Sequence, residues 1–255
     1  MKQKNRILVQ IALIVALGGL LMGFDASVIS GVIQFIEVEF ALTKLELGWA
    51  VASLTLTATL AMLVAGPLSD RYGRRAILRY AAILYTLSAI GSALAPSFIW
   101  LVVARMVGGF GVGASLILAP MYIAEMAPPR IRGRLVSFNQ LNIVIGISLA
   151  FFTNYLILQF AKSDASWAQS LGFNQYNWRW MLGLEAIPAI LYYLGLFFVP
   201  KSPRWLILKG EFEKAKEVMS RFNSEKDTEE VIAQMIEKNN NSEVKKEGKI
   251  SDLFK

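Results

Sequence analysis

The chain has 255 residues, 55% of them hydrophobic, with a mean hydropathy of +0.47 and a formal net charge of +7. It contains neither cysteine nor histidine, which excludes a disulfide framework, thiolate chemistry, Ser–His catalysis, histidine metal sites and the usual near-neutral proton switch. Any proton handling therefore falls to carboxylates.

Six apolar runs follow one another, at roughly 7–32, 46–68, 76–95, 98–122, 134–159 and 179–199. Each is near or above the ~20 residues that cross a bilayer. The first is too long for a cleavable signal and lacks a small-residue cleavage site, so it reads as a retained helix. Of the 26 Lys and Arg, 22 fall before the first run, at 71–79, at 130–134 or in the polar tail from 200 to 255. Short Lys/Arg-rich loops stay on the cytoplasmic side, which places both termini there. The basic excess thus reads as topology and attraction to lipid headgroups rather than as a nucleic-acid footprint.

The second and third runs are joined by Gly66-Pro67-Leu68-Ser69-Asp70-Arg71-Tyr72-Gly73-Arg74-Arg75. Glycine and proline allow a sharp turn at the membrane surface, and its charges call for opposite charges on neighbouring helix ends. In the fourth run, Gly109 and Gly113 share a face and let another backbone approach closely. Gly109-Phe110-Gly111-Val112-Gly113 is no nucleotide loop, since that fingerprint sits between a strand and a helix. The tail carries amphipathic stretches at 212–222 and about 228–238, which need the inner helix ends to pack on. Trp49, Tyr122, Trp178 and Trp180 lie near run ends and read as interfacial aromatics; Glu37 and Glu39 read as solvated. A sequon at Asn240-Asn241-Ser242 should stay unmodified on the cytoplasmic side.

The Gly66–Arg75 decapeptide resembles the loop between the second and third helices of major facilitator superfamily transporters, most closely the sugar porter family. Three further stretches fit that pattern: Gly23-Phe24-Asp25-Ala26-Ser27, then Pro120–Pro128 with Arg132-Gly133-Arg134, and Pro200-Lys201-Ser202-Pro203-Arg204-Trp205-Leu206. The resemblance implies a cytoplasmic charge network that latches the inner gate, here Asp70, Arg74, Arg75, Glu125, Arg132, Arg134 and Arg204. Lys201 departs from the family, which has an acid there, and puts the strength of that latch in doubt. Family members have twelve spans, and this chain stops where the seventh should begin, so it reads as the N-terminal half.

Asp25, Arg105 and Glu185 are the ionisable residues well inside the runs. Charges at such depth are costly unless paired and are functional candidates by default. Counting ~1.5 Å per helical residue places all three about 9–11 Å from the outer ends of their runs. One arginine and two carboxylates can therefore meet. Burial raises a carboxylate's pKa and a nearby arginine lowers it, so a guanidinium that changes partners would let Asp25 take up and release a proton. A static pair holding the first run against the fourth is the structural alternative. The resemblance favours the switch, because proton-coupled sugar porters have aspartate at the position of Asp25, arginine at Arg105 and glutamate at Glu185. It also implies a sugar contact at Gln140, whereas Asn139 and Asn142 lie on other faces and read as packing groups.

The expected architecture is an all-α bundle of six transmembrane helices in two inverted three-helix units (1–200), followed by a cytoplasmic helical linker (201–255). The expected activity is sugar–proton symport by alternating access. It would need a sugar, a proton, the bilayer and a second six-helix half, but no cofactor. A facilitator with a purely structural Asp25–Arg105 pair, or a membrane sugar sensor that does not transport, stays open. A membrane enzyme ranks last, since no nucleophile–base or metal constellation is present.

Overall fold

The computed structural model describes residues 2–222, together with 228 and 232. Helices α1 (Lys2–Glu39), α2 (Lys44–Tyr72), α3 (Arg74–Ala93), α4 (Phe98–Met126) and α5 (Arg132–Ala161) are each long and apolar enough to cross a membrane. A short helix α6 (Ser166–Ser170) follows, then α7 (Asn177–Gly183), α8 (Ala186–Gly195), α9 (Pro203–Leu208) and α10 (Phe212–Ser220). The second amphipathic stretch, at about 228–238, and the sequon lie essentially outside the described residues.

Local chemistry sets several boundaries. Thr43 opens α2 with a reciprocal cap: its hydroxyl accepts from the Glu46 amide, and the Glu46 carboxylate accepts from the Thr43 amide, the arrangement expected of a capping box. Ser97 caps α4 without the return bond, its hydroxyl accepting from the Trp100 amide. Gly73 joins α2 to α3 at φ 94°, a conformation that only glycine adopts freely.

The sixth apolar run is helical but interrupted, rather than one continuous helix. Pro188 has no N–H for the carbonyl of Leu184, and its ring crowds that carbonyl. The chain answers with tighter bonds, Glu185 N–H to Leu182 O at 3.3 Å and Ile187 N–H to Leu184 O at 3.2 Å. Glu185 therefore stands at a break between α7 and α8.

Helix α4 is the most enclosed element and packs against α1, α2 and α3, while α1 lies along α5. Both close pairings use missing side chains. A Cβ on Gly113 would collide with the Ala58 carbonyl of α2, and one on Gly109 with Thr57 and the Leu54 carbonyl. Between α1 and α5 the notches interlock: Gly23 faces the backbone of Ile143, and Gly146 faces that of Leu20. Asn139, Asn142 and Asn154 are buried along this seam, and Asn154 donates to the Val28 carbonyl at 3.1 Å. Such close approach is how membrane helices associate when lipid competes for every apolar contact. Gly146→Ala should therefore lower thermal stability by about 1–3 kcal/mol. Gly66→Ala, where nothing lies within 4 Å, should be neutral or gain up to ~1 kcal/mol. Unfolding curves of the two variants in one detergent check the contrast.

The remaining large apolar side chains point outward, as along α2 (Leu56, Leu60, Leu63, Val64) and α8 (Ile187, Leu191, Leu194). In water such faces would mark association sites; on a helix long and apolar enough to cross a membrane, as α2 is, they are the faces for lipid or another bundle.

Candidate functional site

The depth count from the sequence brings the expected charges to one layer. Arg105 of α4 is 2% exposed, Asp25 of α1 2% and Glu185 3%. Arg105 Nη1 donates to Asp25 Oδ1 at 3.2 Å, and its Nε donates to the Ala50 carbonyl of α2 at 3.0 Å. Four notches make room. Gly108 sits one turn on from Arg105, and a Cβ there would run into Ser88 and lie 3.3 Å from Asp25 Oδ2. Gly109, Gly111 and Gly113 continue the gap against α2 and α3.

Glu185 makes no hydrogen bond to Arg105. It is within electrostatic reach of both Arg105 and Asp25, and its Oε1 has no hydrogen-bond partner; the same is true of Asp25 Oδ2. The site thus holds two buried acids for one base that, as an arginine, stays charged. One cation can compensate only one of the two carboxylates at a time.

At the basic end of the bundle a second cluster forms. Arg74, buried to 4% in its side chain, pairs with Asp70 at 2.7 Å and with Glu125 at 3.2 Å. Glu125 also accepts from the Ser202 hydroxyl at 2.5 Å. Tyr122 donates to the Pro200 carbonyl at 2.8 Å, and Trp205 Nε1 to the Asp70 carbonyl at 3.1 Å. Helix α9, capped by Ser202 with Pro203 at its first turn, is thereby tied beneath α2 and α4.

This cluster is smaller than the expected network. Asp70, Arg74 and Glu125 meet, whereas Arg75, Arg132, Arg134 and Arg204 form no ion pair among the described residues. Arg132 donates only to the Ala127 carbonyl at 3.4 Å; Arg132, Arg134 and Arg204 are exposed and Arg75 half-buried. The Lys201 ammonium lies over the Trp205 ring, 5.0 Å from the centroid. Burial decides which acid matters. Asp70 is 60% exposed in its side chain and Glu125 only 5%. Asp70→Ala should cost about 0–1 kcal/mol, the range of surface pairs. Glu125→Ala, which removes the buried partner of the Arg74 guanidinium and leaves it only the exposed Asp70, should cost roughly 3 kcal/mol. Thermal unfolding of both variants is the check.

Gln140 lies on an exposed part of α5, uncovered by this bundle, while neighbouring Asn139 and Asn142 are buried as expected. Tyr122 and Trp178 are not interfacial aromatics: both are fully buried, Trp178 at 1%. Nor are the two acids after the first run free in solvent. Glu37 pairs with Lys44. Glu39 accepts from Trp178 Nε1 at 2.5 Å and from Arg179 at 2.8 Å. Arg179 also donates to the Ala93 and Ala95 carbonyls, so a clasp closes α1, α3 and α7 at the end opposite the basic cluster.

Comparison with known proteins assigns the family and agrees with the all-helical fold. The Sugar (and other) transporter family profile matches residues 11–255. The D-xylose-proton symporter of Escherichia coli K12 is 38% identical over 83% of this chain and 47% of its own length. The arabinose-proton symporter of Bacillus subtilis is 38% identical over 94% of this chain and 49% of its own. The chain thus spans about half the length of the curated relatives it matches. Among solved structures, the proton:xylose symporter XylE bound to 6-bromo-6-deoxy-D-glucose superposes with a TM-score of 0.84 at 35% identity, covering 92% of this chain and 53% of that one. XylE from E. coli in its inward-open conformation gives 0.80. With a bundle of apolar helices around a buried arginine–aspartate pair, this chain belongs to the sugar transporter family.

Proposed function

We propose that the chain is the N-terminal half of a sugar–proton symporter that works by alternating access, with Asp25 as the coupling carboxylate. The observation that carries the proposal is the stoichiometry of the buried layer: two acids, Asp25 and Glu185, share one guanidinium. Pairing with Arg105 favours the charged form of Asp25 over the neutral one. When the pairing is given up, an uncompensated charge in so dry a place costs several kcal/mol unless it takes a proton. Proton binding and helix position are thereby linked.

The rest of the machine follows from placement. The relatives' printed substrates, xylose, arabinose and glucose, support a pentose or hexose as the cargo, which Gln140 would meet from the exposed face of α5. The basic end, with Arg74 and Glu125, faces the cytoplasm and latches the inner gate. Residues 1–200 form the membrane domain and those from 201 the linker towards a second six-helix half, which is needed for transport. The bundle resembles both the sugar-bound and the inward-open relative, with TM-scores of 0.84 and 0.80. That supports rocking of a whole half about the central site.

Reconstitution of this half joined to its second half is the test. An inward proton gradient should drive sugar above its external concentration, and a protonophore should abolish the excess. Equilibration that ignores the protonophore would replace this reading by facilitated diffusion, and binding without movement by a sensor. The 255-residue chain alone should show no uptake.

A further inference from the structure

Behind the arginine–aspartate pair lies a set of hydroxyls that the coupling scheme does not use. Tyr85 of α3, Ser115 of α4 and Tyr192 of α8 are 0%, 1% and 0% exposed. Ser115 is in reach of both tyrosine hydroxyls, yet none of the three makes a well-formed bond to another protein group. Tyr192 presses on α1, where a Cβ on Gly18 would come 2.9 Å from its hydroxyl and 3.1 Å from Ser115 Cβ. The Tyr85 ring packs on Gly111 of α4, where a Cβ would come 3.2 Å from its Cδ2, and one turn away a Cβ on Gly108 would lie 3.3 Å from Asp25 Oδ2; Tyr85 is thus within electrostatic reach of Asp25 and Glu185. Asp25 Oδ2, turned away from Arg105, and Glu185 Oε1 are unpartnered too.

Five orphaned buried polar atoms in one neighbourhood, from helices α1, α3, α4 and α8 and the α7–α8 break, are too many for an apolar membrane core. Buried polar groups are satisfied by protein or by water in the great majority of cases. A hydroxyl both donates and accepts, and its hydrogen rotates to suit. A bound water needs two to four polar neighbours, which this set supplies.

We infer that Tyr85, steadied by Ser115 and Tyr192, is the relay through which Glu185 and Asp25 exchange one proton. Tyr85 donates its phenolic proton to Asp25 Oδ2 and takes up the carboxyl proton of Glu185, through a bound water where the groups do not touch. The phenol is neutral before and after, and one proton has moved from one acid to the other. Arg105, the only cation facing the pair among the described residues, then compensates whichever carboxylate is left charged. The sharp turn at Pro188 serves this geometry by setting Glu185 at the helix break. The relay rests on the proton-coupled reading above, and its test needs no transport.

The test is infrared spectroscopy of the 255-residue chain in lipid vesicles, read at the band of buried protonated carboxyl groups. The band should appear at neutral pH and disappear in Glu185→Gln. Tyr85→Phe keeps the ring and removes the hydroxyl; it should shift the band to higher wavenumber and slow its exchange in heavy water about tenfold, the loss of one hydrogen bond of ~1.4 kcal/mol. Ser115→Ala should shift the band the same way by less, and it stands as the test if Tyr85→Phe does not fold. A band unmoved by these substitutions overturns the relay, as does a band lost in Asp25→Asn rather than in Glu185→Gln. Neither result bears on whether sugar accumulation needs Asp25, so the relay and the symport reading fail separately.

Discussion

Replacing Arg105 with Gln should destabilise the chain by about 3–5 kcal/mol, the cost of leaving one member of a buried ion pair without its partner. Asp25 would lose its compensating cation in a site where it is 2% exposed, with no other within reach among the described residues, and would have to carry an unpaired charge or take up a proton. The reverse change is milder. In Asp25→Asn the guanidinium stays charged, but Glu185 already feels its field and can take the vacant pairing. The double variant should therefore be more stable than Arg105→Gln alone, with a coupling of roughly 1–3 kcal/mol between the positions. Denaturation of the four proteins in one detergent measures it. A cost below ~1 kcal/mol for Arg105→Gln would make the pair no better than a surface contact.

The second large effect is functional. With the second half present, Asp25→Asn should abolish accumulation against a gradient while leaving sugar exchange across the membrane near the wild-type rate. The amide keeps the shape of the side chain and removes the titration, so the rocking motion survives and its link to the proton does not. Each pKa unit of difference between conformations is worth about 1.4 kcal/mol, and a swing of two to three units supplies roughly 3–4 kcal/mol of coupling. Removing it leaves no driving force. Glu185→Gln should weaken accumulation as well, because the proton then has one buried carboxyl instead of two.

Much of the membrane layer was legible from residue counting. Spans of known length run in alternating directions, so positions 25, 105 and 185 had to fall at one depth. The break beside Glu185 was signalled by Pro188, but apolar periodicity runs straight through a single proline and hid it. The basic cluster was overread. Arg132 and Arg134 stand near Glu125 in sequence and Arg204 near it only in the family pattern, yet all three are exposed, and Arg74 is the arginine that pairs with Glu125. Glu39 was misread for the opposite reason: its partners Trp178 and Arg179 are about 140 residues away, beyond anything local spacing can show. The hydroxyls of Tyr85, Ser115 and Tyr192 belong to three different apolar runs, and only packing of three helices reveals them as one group.

Coupling by this pair requires one carboxylate to be neutral in one orientation of the half and charged in the other. The most direct test is proton movement itself. Sugar added outside proteoliposomes of the joined halves, with no imposed gradient, should make the external medium more alkaline as protons enter with the sugar, and Asp25→Asn should move sugar with no pH change. An equal alkaline shift from the Asp25→Asn protein would show that the proton travels by another route and would contradict the coupling proposed for this pair.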